Sequence, residues 1–246
     1  MPPIARHPRV VSLAKELGLS ARGDCLAAIR EFALDQVRSI VENAPVPIDS
    51  LTVFRRVLSD KYRVRIEFIR SDEDIAAIVQ KNSDFNSALA AQLEQEFVRD
   101  TTEGITLERE FDDVHKFRYL AVVDARGDRA ARAYFTAWHE IAHLVLYPPQ
   151  LAFTGFRRTP TAAQVKKDLI ETVVDHVAGR LAFYEPLFRP ILETAVGEHG
   201  VTFRALELAR AAVDPTPSLF ASAMACLHLQ DRPMLLVNAE LALKKS

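Results

Sequence analysis

Residues 138–143 of the chain read WHEIAH, and the rest of the sequence is best interpreted outward from this stretch. His139 and His143 are four residues apart, so on a helix their imidazoles lie on one face and can reach the same metal ion. Glu140 is rotated by about 100° from His139, which keeps it off the ion but close to a water held there. The stretch predicts two metal ligands and a general base on one helix.

The surrounding sequence favours a metal site over an ordinary helix that happens to carry two histidines. Apolar neighbours predict that the motif is buried: Tyr134, Ala137, Trp138, Ile141 and Val145. A catalytic zinc site has three protein ligands and an open position. The next long helix, predicted over about residues 162–184, offers Glu171 as the third ligand. Asp175, one turn further on, can accept a hydrogen bond from a ligand imidazole and fix its tautomer.

This donor set predicts a particular chemistry. Two imidazoles and one carboxylate suit Zn²⁺, which prefers tetrahedral coordination. Zinc lowers the pKa of a bound water to about 7 and polarises a carbonyl oxygen. Glu140 can then act as the general base towards that water and return the proton to a leaving amine. The motif therefore predicts metal-assisted hydrolysis of an amide bond.

The composition bounds the class of protein. The 246 residues carry 31 basic and 33 acidic side chains, which gives a net charge of −2. This near-neutral charge argues against a main role in binding nucleic-acid phosphates. Two distant cysteines, Cys25 and Cys226, are too few for a disulfide framework and are expected to be reduced. No apolar run is long enough for a secretory signal or a membrane span. A cytoplasmic protein is expected.

Residue periodicity predicts an α+β fold that is mostly helical, with a small sheet of about three strands. Helical patterns cover residues 10–43, with a break at Gly18, and a short segment that ends near Leu58, for which Asp49 is the predicted cap. Further helical patterns cover residues 85–97, 129–147 and 162–184, and residues 187–230 are predicted to form three shorter helices. Strand patterns cover residues 63–69, 105–107 and 117–123, with a further candidate at 233–238.

Two stretches together carry a family resemblance. Residues 129–143 read RAARAYFTAWHEIAH, and residues 171–186 read ETVVDHVAGRLAFYEP. They resemble the ImmA/IrrE family of bacterial zinc metallo-endopeptidases, in which a run with arginine and phenylalanine leads into HE[LI]xH. The family's second helix then carries E-x-x-A-[ND]-x-F-A. The resemblance covers about residues 117–190, and the chain departs from the pattern at Tyr147, Val174 and Val177.

The resemblance implies a zincin-like core with a gluzincin-like ligand set. By this likeness His139, His143 and Glu171 are the zinc ligands, Glu140 is the catalytic acid and base, and Asp175 supports a ligand histidine. The break in the helical pattern at residues 44–47, which read APVP, is the first expected boundary. The chain is expected to consist of an N-terminal helical segment (1–45) that packs on the peptidase, a zinc peptidase domain (46–190) and a C-terminal helical extension (191–246).

The resemblance also implies a substrate. Members of the family cut a helix-turn-helix transcriptional repressor in stress or phage-related responses. A peptide substrate is expected to add its backbone to a sheet edge beside the zinc, and residues 117–123 are the candidate edge strand. Residues 13–20 resemble the opening of a helix-turn-helix, but the helix that follows lacks a basic reading face. Packing on the peptidase is therefore expected there rather than direct binding of nucleic acid.

Two other functions remain open from the residues alone. The chain could be a non-catalytic regulator that keeps the zinc fold and binds a repressor or a ligand, or a zinc hydrolase of a small amide. No residue stands out as the donor to a developing oxyanion. The candidates are His115, Tyr119, His176, Arg180 and Tyr184.

Overall fold

The computed structural model of the chain describes residues 4–20, 22–82, 89–98, 102–108, 116–146, 155–158, 169–213 and 216–229. Within these residues the helices are α1 (Pro8–Glu16), α2 (Cys25–Glu42), α3 (Leu51–Lys61), α4 (Glu73–Lys81), α5 (Leu89–Val98), α6 (Ala130–Leu146), α7 (Leu169–Ala182), α8 (Glu185–His199), α9 (Phe203–Ala211) and α10 (Leu219–Leu229). The strands are β1 (Val64–Ile69), β2 (Thr102–Glu108), β3 (Tyr119–Asp124) and β4 (Gly155–Arg158).

Side-chain caps fix where several helices begin. At the start of α2, Asp24 Oδ1 accepts a hydrogen bond from the amide of Ala27 at 2.9 Å. At the start of α3 the cap is Ser50, whose hydroxyl accepts from the amide of Val53 at 3.3 Å. The prediction that Asp49 caps this helix was wrong by one residue. The capping oxygen must come from the residue directly before the first helical turn, and that residue is Ser50.

The remaining helix predictions agree with the structure where it describes the chain. The predicted helical run over 10–43 is interrupted as expected, since α1 ends before Gly18, which has φ +74°, and α2 begins at Cys25. Three helices, α8, α9 and α10, account for the C-terminal helical pattern. The predicted start of α7 near residue 162 and the candidate strand at 233–238 lie outside the described residues.

The sheet is small and mixed, with strand order β1-β3-β2-β4. Strand β3 pairs with β1 in parallel and with β2 antiparallel, and β2 also pairs antiparallel with β4. All three strands that the sequence predicts are present, and the short β4 extends the sheet. The prediction that residues 117–123 form an edge strand was wrong, because β3 lies between two neighbours. All six residues of β3 are buried, as expected for a run of apolar residues in the interior of a sheet.

Both faces of the sheet are covered by helices. Leu120 and Val122 of β3 point into a cluster with Ile105 and Leu107 of β2 and with apolar residues of α4 and α5. The alternate residues of β3, which include Ala121 and Val123, point to the other face, where α6 packs. Helix α6 is therefore buried between the sheet on one side and α7 on the other.

One hydrophobic cluster joins α1, α2 and α3 to α6 and to the helices that follow it. It contains Leu13 and Ile29 from α1 and α2, Trp138 from α6, Val177 from α7 and Leu192 from α8. The division of the chain at about residues 45 and 190 stays a prediction, since a shared core does not locate boundaries. Among the described helices, none combines the length and apolar character that crossing a membrane requires.

Candidate metal centre

The histidines and the glutamate of the WHEIAH stretch lie on α6, near its middle. His139, Glu140 and His143 are 1%, 0% and 2% exposed, which is unusual for three ionisable side chains in consecutive turns. The two imidazoles project towards α7, and Glu140 projects towards β2. The helical offset expected from the sequence is therefore present, and it places Glu140 on the sheet side of the two histidines.

Helix α7 brings Glu171 to the two imidazoles. His139 Nε2 lies 3.0 Å from Glu171 Oε2, and His143 Nε2 lies 3.6 Å from Glu171 Oε1. The two Nε2 atoms are 3.0 Å apart. One donor atom from each of the three residues falls within 4.8 Å of the other two, so His139, His143 and Glu171 form a group that could hold a metal ion.

Asp175 orients the first of these imidazoles. Its Oδ1 lies 2.9 Å from His139 Nδ1, one helical turn beyond Glu171 on α7. With the Nδ1–H donating to this carboxylate, the Nε2 atom of His139 keeps its lone pair and faces the group. The position that the sequence predicts for Asp175 is therefore the one observed.

Glu171 is held in its charged form. Burial raises its pKa, but hydrogen bonds with His139 and His143, and the charges of both rings, outweigh burial and bring the pKa to about 2. A ligand carboxylate must be deprotonated, and Glu171 meets that requirement over the whole neutral range.

The chemistry of this donor set fits a metal ion. An imidazole lone pair facing a carboxylate and a second imidazole is repulsive unless a cation, either a proton or a metal ion, lies among them. Nitrogen and oxygen donors of this kind suit zinc and its first-row neighbours rather than magnesium or calcium. His139, His143 and Glu171 would hold the ion.

Glu140 is fixed by a contact that the sequence did not reveal. Thr106 of β2 donates its hydroxyl hydrogen to Glu140 Oε2 at 2.6 Å. The other oxygen, Oε1, is buried and has no hydrogen-bond partner within the described part of the chain. One oxygen of the carboxylate is thereby anchored, and the other remains available to a reacting group.

Gly104, also on β2, lets α6 approach the sheet at this point. An ideal Cβ on Gly104 would lie 2.6 Å from Thr136 Cγ2, closer than real Cβ atoms approach, and 3.0 Å from Glu140 Oε1, which is a tight contact. Gly104 and Thr106 are two residues apart and so share a face of the strand. That spacing is visible in the sequence, but nothing local indicates which helix the face meets.

The candidate oxyanion donors are distributed around the fold. Tyr119 lies on β3, and Tyr184 stacks on Phe54 with ring centroids 4.6 Å apart, so both belong to the core. His176 and Arg180 of α7 line a cavity beside Asp175. His115 lies outside the described residues.

Comparisons of this chain with models of known protein families, with curated proteins and with solved structures give no significant match. The resemblance to the ImmA/IrrE peptidases therefore rests on the two sequence stretches that carry it.

Proposed function

We propose that the chain is a cytoplasmic zinc-dependent hydrolase of amide bonds, and specifically a metallo-endopeptidase. One observation carries the proposal: the donor atoms of His139, His143 and Glu171 converge within 4.8 Å while the buried carboxylate of Glu140 lies alongside on the same helix. In a structural metal site, protein ligands fill every coordination position and no adjacent base is needed. A base held beside three ligands is the arrangement that metal-assisted hydrolysis requires.

Each residue of this group has a role in the proposed reaction. When bound, the metal acidifies water and polarises the carbonyl of the scissile amide. Glu140 Oε1 accepts a proton from the attacking water, the water oxygen adds to the carbonyl carbon, and the carbon–nitrogen bond breaks. The same carboxyl group then passes the proton to the leaving amine. Thr106 holds Oε2 still throughout, and Asp175 holds the ring of His139.

A peptide substrate is favoured by the family resemblance and is compatible with the sheet. Strand β2 faces Glu140 through Thr106, and the next strand outward, β4, ends the sheet order on that side. An extended peptide could pair with an edge strand, so β4 replaces residues 117–123 as the candidate edge. By the resemblance, the partner would be a helix-turn-helix repressor cut in a stress or phage-related response.

The metal site is tested by metal content. Mass spectrometry of the protein purified without added metal should find about one zinc per chain. Glu171→Ala should lose most of it, whereas Glu94→Ala, which removes an exposed acid on α5, should keep it. A wild type that holds no transition metal even after zinc is supplied would contradict the proposal.

The catalytic role is tested by Glu140→Gln, which keeps the shape of the side chain and removes its basicity. We expect this variant to retain zinc but fail to cleave helix-turn-helix repressors encoded near its gene, with fragments detected by mass spectrometry after co-expression. A variant that leaves the biological effect intact would instead indicate a regulator that acts by binding. Cleavage of small amides without any effect on proteins would indicate the small-amide hydrolase.

A further inference from the structure

A cavity of about 450 Å³ lies beside the candidate metal centre, where α6, α7 and α10 meet and α2 closes one side. Its apolar walls include Phe135, Phe183, Phe220 and Met224. This volume is typical of sites that bind small organic molecules. A mainly apolar lining with a few polar groups is also typical of such sites.

Three basic side chains from three different helices line this cavity. Arg30 comes from α2, Arg180 from α7 and His228 from α10. Burial lowers the pKa of His228, and the positive charges of Arg180 and Arg30 lower it further, so this imidazole is neutral at pH 7 and the two guanidinium groups carry the charge of the cavity. Like charges gathered in a partly buried space repel one another.

The two arginines form no ion pair with the described residues. Neither Arg30 nor Arg180 has an ion pair within the described part of the chain, and Arg30 Nε is buried there without a hydrogen-bond acceptor. Burying a guanidinium group without an acceptor costs free energy.

The other charged groups in the cavity wall are already engaged. Arg132 lies at the wall but pairs with Glu103 at 2.8 Å. Asp175 is also part of the wall, and its carboxylate contacts His139 at 2.9 Å.

We propose that this cavity binds a small organic anion, whose carboxylate or phosphate lies between Arg30 and Arg180 and whose apolar part lies against Phe135, Phe183 and Met224. Guanidinium groups bind carboxylates and phosphates through paired hydrogen bonds, and neither arginine is engaged in an ion pair with the described residues. The site is separate from the metal ligands and does not depend on the hydrolase proposal. Asp175 is shared by both, so a ligand here would lie one side chain away from His139.

Binding is tested by calorimetry on the full chain at low ionic strength, with phenyl phosphate, phenylacetate, inorganic phosphate and phenol as probes. At least one of the two aromatic anions should bind more tightly than inorganic phosphate, and phenol should bind weakest. The stronger of phenyl phosphate and phenylacetate identifies the head group. If neither binds in the millimolar range, or if phenol binds as well as they do, the proposal is wrong.

Charge variants locate the site. Arg180→Gln and Arg30→Gln should each weaken binding of the better probe by about tenfold or more, because each removes a charge-assisted pair of hydrogen bonds. Arg180→Lys, which keeps the charge, should lose less. Arg204→Gln removes an exposed arginine on α9 and should leave affinity unchanged. Equal losses in all of these variants would show only a general charge effect and overturn the proposal.

A second measurement does not need a ligand. Without a bound anion, Arg30→Gln and Arg180→Gln should raise the melting temperature, since each relieves the repulsion between the two guanidinium groups, whereas Arg204→Gln should not. A lower melting temperature in both cavity variants would show that the arginines serve the fold, and it would count against a ligand site.

Discussion

At the scale of single residues, the site depends on side chains that hold the reactive groups in place. Thr106 and Asp175 each contact one such group, Glu140 and His139 respectively. The role of Asp175 was predictable, because it lies one turn from Glu171 on the same helix. The role of Thr106 was not, because the contact joins residues 34 positions apart and depends on how the sheet meets α6.

Replacing Thr106 by valine should destabilise the protein. The side chain keeps its shape but no longer donates to Glu140 Oε2, so both buried oxygens of the carboxylate lack a donor. We expect a loss of about 1–3 kcal/mol in the free energy of unfolding. Urea denaturation at neutral pH measures it. Thr106→Ser keeps the hydroxyl and should lose clearly less, and equal losses in both variants would assign the effect to packing.

Asp124 predicts a pH dependence of stability. Its side chain is fully buried and pairs with Arg126 at 2.7 Å and with Arg129. Burial raises the pKa of Asp124, but hydrogen bonds from Arg126 and Arg129 outweigh it and leave the pKa below its ordinary value. A carboxyl group whose pKa is lower when folded stabilises the protein above its unfolded pKa, and this contribution is lost as the pH falls.

The free energy of unfolding should therefore decline below about pH 5, as Asp124 begins to protonate in the unfolded chain. Asp124→Asn should be less stable at pH 7 and should show a shallower decline, as measured by urea denaturation across that range. Asp35→Asn, which alters an exposed pair with Arg38, is the matched control and should follow the wild type. A decline equally steep in Asp124→Asn would assign the pH dependence to other groups.

At the scale of helices and strands, the sequence predicts the type of each secondary-structure element better than it predicts how the elements are arranged. Alternation and apolar periodicity located β1, β2, β3 and the described α-helices other than α4. Strand β4 was missed, since a strand of four residues is too short to show a period. The sequence does not predict the order of the strands. The position of β3 directly before α6 suggests an edge strand, but β3 is buried along its whole length and lies between two neighbouring strands.

The contact of β2 with α6 can be tested with one methyl group. Gly104→Ala places a Cβ against Thr136 Cγ2 and should cost about 1–3 kcal/mol of unfolding free energy through overpacking. Thr136→Ser removes that Cγ2 atom, so the double variant should recover part of the loss. A double-mutant cycle measures the coupling. If the loss in the double variant equals the sum of the losses in the two single variants, the side chains at positions 104 and 136 do not clash, and the inferred close contact between them is wrong.

At the scale of the whole molecule, the metal would tie together segments far apart in the chain. His139 and His143 lie on α6 and Glu171 on α7, and both helices share one hydrophobic cluster with the first and last parts of the described chain. An ion bound across them stabilises only the folded state.

Removing the metal should therefore lower the stability of the entire fold in a single step. Calorimetry with and without a chelator should show a lower melting temperature for the stripped wild type and recovery after zinc is restored. Glu171→Ala should respond little to chelator, whereas Glu94→Ala should respond as the wild type does. If the melting temperature of the zinc-loaded wild type is the same with and without chelator, the ion does not bridge the helices.

The absence of a Cβ at Gly104 also has an evolutionary consequence. A chain that descends from the same ancestor loses stability when this position is enlarged while position 136 carries a branched side chain, because the added carbon would fall 2.6 Å from the existing methyl. A smaller residue at 136 followed by a larger one at 104 is therefore the less costly order of change. In an alignment of homologues, alanine or serine at 104 should occur more often beside glycine, alanine or serine at 136 than beside threonine or valine.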